Sequence, residues 1–234
     1  EPDAATLRAA EAGVCWLLDL QNRDGGMPTF CRGWGTLPFD RSTPELTAHA
    51  LRAWVAWRPL LDAALARRVD AALPRAFRFL RQSQRADGAW IPLWFGNEHA
   101  TGHENPVYGT AQVLIALNEL GRAEVAVDDD LRRDAAAFLV RAQNADGGWG
   151  GEHGCPVSME ETALAVEALA DVQEQAPALA RGREKLLQLI AAGAWRSASP
   201  IGLYFARLWY FERLYPLIFA SSALGRLTAT SQDR

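Results

Sequence analysis

Gln143-Asn144-Ala145-Asp146-Gly147-Gly148-Trp149 has two close counterparts earlier in the 234-residue sequence, Gln84-Arg85-Ala86-Asp87-Gly88-Ala89-Trp90 and Gln21-Asn22-Arg23-Asp24-Gly25-Gly26-Met27. Each reads Gln, two spacers, Asp-Gly, a small residue and a large apolar one. Upstream of each Gln stands an aromatic-Leu pair at helical spacing: Trp16-Leu17, Phe79-Leu80 and Phe138-Leu139. A helix therefore ends at a fixed turn in every copy, with Asp-Gly supplying the positive-φ residue that stops it. Such internal repetition decides the architecture, because one repeat cannot bury its own apolar face and must stack on its neighbours.

Working outward, each turn is followed by a second common block. Thr47-Ala48-His49-Ala50-Leu51-Arg52-Ala53-Trp54, Thr110-Ala111-Gln112-Val113-Leu114-Ile115-Ala116-Leu117 and Thr162-Ala163-Leu164-Ala165-Val166-Glu167-Ala168-Leu169 share small residues among large apolar ones, a pattern suited to close helix packing. Pro44-Glu45 and Glu160-Glu161 just before the Thr are helix-start signals, proline at the first turn and carboxylates at the positive end of the dipole. Each repeat is thus a helix-turn-helix. A fourth, degenerate copy runs from Leu186-Leu187-Gln188 to Gly193-Ala194-Trp195, and Ile201 to Arg226 reads as one final aromatic-rich helix. The pattern predicts an all-α fold of about eight helices and essentially no strand. Its antiparallel helical hairpins are expected at about 5–58, 66–121, 130–173 and 180–227 of a single repeat domain covering 1–234.

Composition excludes several function classes. A net charge of −4 offers no uncompensated basic patch for phosphates, so no nucleic-acid partner is expected. Cys15, Cys31 and Cys155 are odd in number and form no C-x-x-C pair, which suits a reducing, cytoplasmic setting better than a disulfide framework. No Gly-rich phosphate loop, nucleophile elbow or dinucleotide fingerprint occurs. Arg207, Glu212 and Arg213 interrupt the final apolar stretch and leave too little to cross a bilayer. No secretory leader is recognisable, and the sequence opens at Glu1 rather than Met.

The Gln…Asp-Gly-(Gly/Ala)-Trp turns, in register with the T-A helices over nearly the whole chain, resemble the QW repeats of squalene-hopene cyclases and related triterpene cyclases, also known as prenyltransferase and squalene-oxidase repeats. The resemblance implies part of an α/α toroid, the C-terminal part of a cyclase active-site domain. It also implies a structural role for Gln21, Gln84, Gln143, Trp90 and Trp149. The substrate it implies is a polyprenyl or triterpene lipid, cyclised by protonation of an alkene. Peripheral contact with the inner membrane face follows from that lipid, and the short array implies missing N-terminal hairpins or a homo-oligomer partner.

Glu45 and His49 are the candidate catalytic pair. Four residues apart at a helix start, they can hydrogen-bond, and a carboxylate there favours the protonated ring. The block Glu45-Leu46-Thr47-Ala48-His49 resembles the cyclase site in which a His in T-A-H context hydrogen-bonds the catalytic aspartic acid. An ordinary salt-linked surface pair is the competing reading. Aromatic faces would stabilise the migrating cation without quenching it. Trp94 and Tyr108-Gly109-Thr110 resemble cavity-lining residues of the family, and Tyr204, Phe205, Trp209, Tyr210, Phe211 and Tyr215 fall where it places further cavity aromatics, with ordinary core packing as the alternative. Glu45, His49, Trp94 and Tyr108 are expected to face one concavity.

The family's proton donor, Asp-x-Asp-Asp, does not occur in these residues; Asp128-Asp129-Asp130 lacks the spacing and reads as a helix start. The chain by itself is accordingly expected not to cyclise squalene. His99, His103 and His153 near Glu98, Glu104, Glu152 and Cys155 read as polar loops rather than a zinc site, and neither a metal nor another cofactor is expected. The alternative to a class II terpene cyclase is a non-catalytic helical-repeat module that binds a lipid or protein in its concave face.

Overall fold

In each described copy of the repeated turn the Gln is the residue that ends the helix, and its backbone N–H closes the last helical bond: Gln21 to Leu17, Gln84 to Leu80 and Gln143 to Val140. The Asp then folds back on the turn, its carboxylate accepting from the backbone N–H two residues on (Gly26, Ala89, Gly148) at 2.9–3.2 Å. The glycine between them has φ of +96° at Gly25 and +87° at Gly88 and Gly147. Proximity forbids a side chain there as firmly as conformation does. A Cβ would stand 2.2 Å from the carbonyl oxygen of Arg75 at Gly25, and 2.3 and 2.8 Å from those of Asp134 and Arg181 at the other two. Each turn is pressed against the following helix.

The computed structural model describes residues 2–204 and 208–232. Its described residues gather into two compact units, Glu1–Gln84 with Glu119–Val127, and Arg85–Asn118 with Asp128–Arg234. In the first, α1 (Ala4–Leu20), α2 (Pro44–Trp57) and α3 (Ala63–Ser83) pack on one another. A two-residue ribbon, β1 (Met27–Pro28) against β2 (Ser42–Thr43), precedes α2. In the second, α6 (Met159–Leu169) packs against α5 (Asp129–Ala142), α7 (Ala176–Ala191) and α8 (Tyr215–Gln232). Asn118 on α4 (Pro106–Arg122) donates to the carbonyl of Ala168 on α6 at 2.9 Å.

The fold class is all-α, helical hairpins of the α/α toroid kind, and the two helix types differ as their sequences require. The T-A helices α4 and α6 are buried nearly all round, so small residues must let neighbours approach on every side. The aromatic-Leu helices α3 and α5 are amphipathic, burying Leu80 and Leu139 while exposing charge. Trp90 and Trp149 are fully buried, and the Trp149 indole N–H donates to Leu139 O on the Gln-bearing helix at 2.7 Å. In the fourth copy Trp195 is half-buried beneath the Arg196 guanidinium.

One element corrects the sequence reading. Ile201 to Arg226 is not a single helix: β3 (Gly202–Tyr204) pairs antiparallel with β4 (Leu208–Tyr210), and α8 begins only at Tyr215. The cause is non-local. The segment docks on residues 94–96, with Gly96 N donating to Ile201 O at 2.8 Å and Leu203 N to Trp94 O at 2.9 Å. Gly202 lies directly beneath the Tyr210 ring, where a Cβ would be 2.3 Å away. Tyr204, Leu208 and Phe211 are therefore not a helical stripe.

Two glycine substitutions separate turn from helix. Gly88→Ala combines positive φ with a backbone clash and should lower stability by about 2 kcal/mol or more. Gly13→Ala, in a helix with open space around it, should raise stability by up to about 1 kcal/mol. Urea midpoints of the two variants check both signs.

Candidate active site

Around the β3–β4 hairpin docked on residues 94–96, aromatic side chains from four segments of the second unit come together. Phe95 stacks on Tyr108 with ring centroids 3.9 Å apart, and Phe219 meets Tyr108 edge-on at 6.4 Å. Tyr215 and Phe219, one turn apart on α8, stack at 5.3 Å, and Tyr215 lies 6.3 Å from Phe95. Trp94 packs on Tyr204 at 5.2 Å. Among the candidates from the sequence, Trp94 and Tyr108 are buried, so their rings back the cluster, whereas Phe95, Tyr215 and Phe219 are half-buried and keep part of their surface exposed. Tyr215 is among the aromatics the sequence singles out, whereas Phe95 and Phe219 are not. Phe95 stands next to a residue that was singled out, and Tyr215 and Phe219 have the i, i+4 spacing of a helix face.

Trp209 packs elsewhere, edge-on to His103 at 5.5 Å and against Gly96. Phe211 is exposed and makes no ring contact among the described residues. Phe205 lies outside the described residues. Burial pushes the phenols of Tyr210 and Tyr215 above the ordinary tyrosine range, and Glu212 pushes both the same way. Both hydroxyls are therefore neutral at ordinary pH and offer no phenolate to a cation.

Glu45 and His49 belong to the first unit. Glu45 is buried on the first turn of α2, behind the capping Thr43. His49, one turn on, is exposed and makes no hydrogen bond among the described residues. Its ring is not held protonated by Glu45 as the spacing suggests. Desolvation, then the Arg52 guanidinium, lower its pKa below the ordinary value, and Glu119 opposes them only in part. Arg52 and Glu119 are themselves paired through two hydrogen bonds, so most of that carboxylate's field is spent on the guanidinium. The imidazole is thereby favoured as a neutral base that can also accept a hydrogen bond.

A second acidic feature was read from sequence only as a helix start. Glu160 and Glu161, on the first turn of α6, are both fully buried. Glu161 Oε1 accepts from Asn97 Nδ2 at 3.1 Å and from Asn105 Nδ2 at 3.0 Å, and its other oxygen bonds the Ser158 hydroxyl. Glu160 accepts from the backbone N–H of Ser199 at 2.7 Å, ahead of the hairpin. Burial, with the neighbouring Glu160 adding repulsion, pushes Glu161 up to about 7 against the lowering effect of its amide donors. Among the described residues no group of three or more His, Cys, Asp or Glu could hold a metal ion.

The partly buried aromatic cluster and the helical hairpins closed by Gln…Asp-Gly turns belong to a class II terpene-cyclase-like C-terminal domain. The sequence matches the squalene-hopene cyclase C-terminal domain family over residues 2–229, and the chain belongs to that family. It is 28% identical to the squalene-hopene cyclase of Bradyrhizobium diazoefficiens over 89% of this chain and 34% of that protein. It is 31% identical to the drimenyl diphosphate synthase of Streptantibioticus cattleyicolor over 77% of this chain and 30% of the other. Among solved structures, the ent-copalyl diphosphate synthase of Streptomyces platensis superposes with a TM-score of 0.67 at 26% identity, covering 91% of this chain and 37% of that one. The chain thus spans about a third of these relatives' length.

Because Glu161 in the fold holds its proton to a higher pH than the ordinary 4.5, its contribution to stability is complete below 4.5 and is lost as pH rises through about 7. The loss is on the order of 3 kcal/mol. Urea unfolding between pH 4.5 and 8 should show this decline, and Glu161→Gln should flatten it.

Proposed function

We propose that the chain is the cation-stabilising part of a protonation-initiated polyprenyl cyclase, and that the exposed parts of Phe95, Tyr215 and Phe219, backed by Tyr108, meet the substrate. The observation that carries this reading is the stacked cluster itself. Its π faces attract positive charge, and it presents no ionised nucleophile. In such a reaction a general acid adds a proton to one carbon of an alkene. The electron pair of the next alkene then attacks the resulting cation, and ring closure repeats until water adds or a proton leaves. The relatives' names include both a squalene cyclase and diphosphate synthases, so the substrate is taken as a polyprenyl chain of either kind. A wholly apolar surface would bind that chain before and after protonation alike; aromatic faces bind the cation better, and only that difference accelerates the reaction.

For Glu45 and His49 the reading keeps the family's roles. His49 accepts a hydrogen bond from the acid's hydroxyl as a neutral imidazole, and the buried Glu45 supports the start of its helix. Trp94, Tyr204 and Trp209 belong to the same assignment as supports of the aromatic wall. The proposed setting is peripheral, at a membrane that supplies the lipid; among the described residues no helix is long and apolar enough to cross one.

The test uses squalene and a tertiary-amine analogue of it, whose protonated nitrogen stands for the carbocation. The 234-residue chain should form no cyclised product from squalene, and it should bind the amine more tightly than squalene itself. Phe95→Leu should weaken the amine about tenfold and leave squalene within about twofold, the size expected of a desolvated cation–π contact. Equal weakening of both ligands, or of neither, would overturn the assignment.

A further inference from the structure

The buried carboxyl of Glu161 has no counterpart in the rest of the repeat. The residue before the T-A threonine is Leu46 in the first copy and Gly109 in the second, and both helices start without a carboxylate there. In the third copy Ser158 already caps α6, its hydroxyl accepting from the backbone N–H of Glu161 at 3.0 Å. The buried Glu45 of α2 corresponds to Glu160, so helix initiation does not require an acid at the Glu161 position, and burying one there is costly unless every lone pair is used.

Both amides that Glu161 grips lie on the stretch that carries the aromatic wall. Asn97 follows Phe95 by two residues, and its Oδ1 holds the backbone N–H of His99 at 3.0 Å. Asn105 caps α4, accepting from Tyr108 N at 3.0 Å, while its Nδ2 also donates to Gly96 O at 3.1 Å. One carboxyl group thus ties together the two ends of the loop, Phe95 at one and Tyr108 at the other. The approach is built for contact: Gly151 leaves room for Asn97, which would lie 2.3 Å from a Cβ there.

We propose that Glu161 is a positioning residue: through Asn97 and Asn105 it fixes the stacking of Phe95 on Tyr108, and so the shape of the wall offered to the substrate. The inference rests on that wall being the substrate surface. The ionisable groups facing Glu161 are Glu160 on its own turn, which disfavours a second negative charge, and Cys155 in the preceding loop, whose thiol is itself pushed up by burial and stays neutral. With its proton in place, Glu161 donates to Ser158 while Oε1 accepts from both amides. Gln reproduces that pattern, because its Nε2 donates where the acid hydroxyl did.

The experiment compares Glu161→Leu, Glu161→Gln and Asn97→Ala in the 234-residue chain by near-ultraviolet circular dichroism and by affinity for the amine analogue. Glu161→Leu is expected to change the aromatic signal and weaken the analogue about tenfold, and Asn97→Ala to do the same in smaller measure. Glu161→Gln should keep the signal and affinity that the parent shows at about pH 5, where the acid holds its proton, and lose the parent's change in signal as pH rises through about 7. Asn97→Ala decides the matter where Glu161→Leu does not fold, as judged by far-ultraviolet dichroism. An unaltered aromatic signal in a folded Glu161→Leu or in Asn97→Ala would overturn the proposal. Failure of the parent chain to bind the analogue would overturn the functional reading instead, with the near-ultraviolet comparison still deciding the role of Glu161.

Discussion

The fold depends on a turn held at three points. The Gln amide donates both to the glycine carbonyl of its own turn and to the first helix of the next hairpin, at 2.8 and 3.2 Å for Gln21 (to Gly25 and Ala72) and at 2.9 Å to each partner for Gln143 (Gly147 and Ala178). The large apolar residue that closes the turn donates its backbone N–H to the threonine of the T-A block. That bond is 2.9 Å from Met27 to Thr47, 3.0 Å from Trp90 to Thr110 and 3.1 Å from Trp149 to Thr162. The turn is thereby tied to the helix before it, the T-A helix after it and the first helix of the next hairpin. These bonds are buried, so losing either partner leaves an unsatisfied polar group out of water. That explains why Gln, Gly and Thr recur together whereas the spacers between them vary.

This constraint is local enough in sequence to be legible. The Gln, the Asp-Gly and the aromatic-Leu pair lie close together along the chain, so their pattern announced helix ends and hairpins. The threonine was read only as part of a packing block, because its partner is on the far side of the turn and the bond is to backbone. Residues 202–204 and 208–210 show the opposite limit. Their aromatic content suits helix face and strand alike, and what selects strand is pairing with residues 94–96, more than a hundred positions away. Propensity at such a place is outvoted by partners that no local window contains.

The candidate site divides in the same way. Spacing placed Glu45 and His49 on one helix, and the family resemblance drew attention to Trp94 and Tyr108, but charge state could not be read from spacing. Whether an imidazole four residues from a carboxylate is protonated depends on what else faces it. Here the decisive neighbours are the surrounding protein, Arg52 and the distant Glu119. Glu160-Glu161 do mark a helix start, but their burial is not legible for a related reason. Two acidic residues at a helix start ordinarily sit in water and favour the dipole, and nothing adjacent shows that Asn97, Asn105 and Ser199 enclose them.

The chemistry constrains where charge can be tolerated. A carbocation intermediate is quenched by any accessible lone pair of sufficient basicity, so a wall that handles it should keep its oxygens neutral or occupied. Tyr215, with its pKa raised by burial, presents a phenol rather than a phenolate. Glu161 carries a strongly raised carboxyl in the second unit, and its oxygens are engaged by Asn97, Asn105 and Ser158. Below about pH 7, where it holds its proton, such a fully hydrogen-bonded acid can brace the loop without offering an anion to a cation at the proposed wall. An ionised Asp–Arg pair could brace the loop as firmly, but it would add a strong local field that favours one cation position over the others. The neutral clamp leaves the aromatic faces to set where positive charge rests.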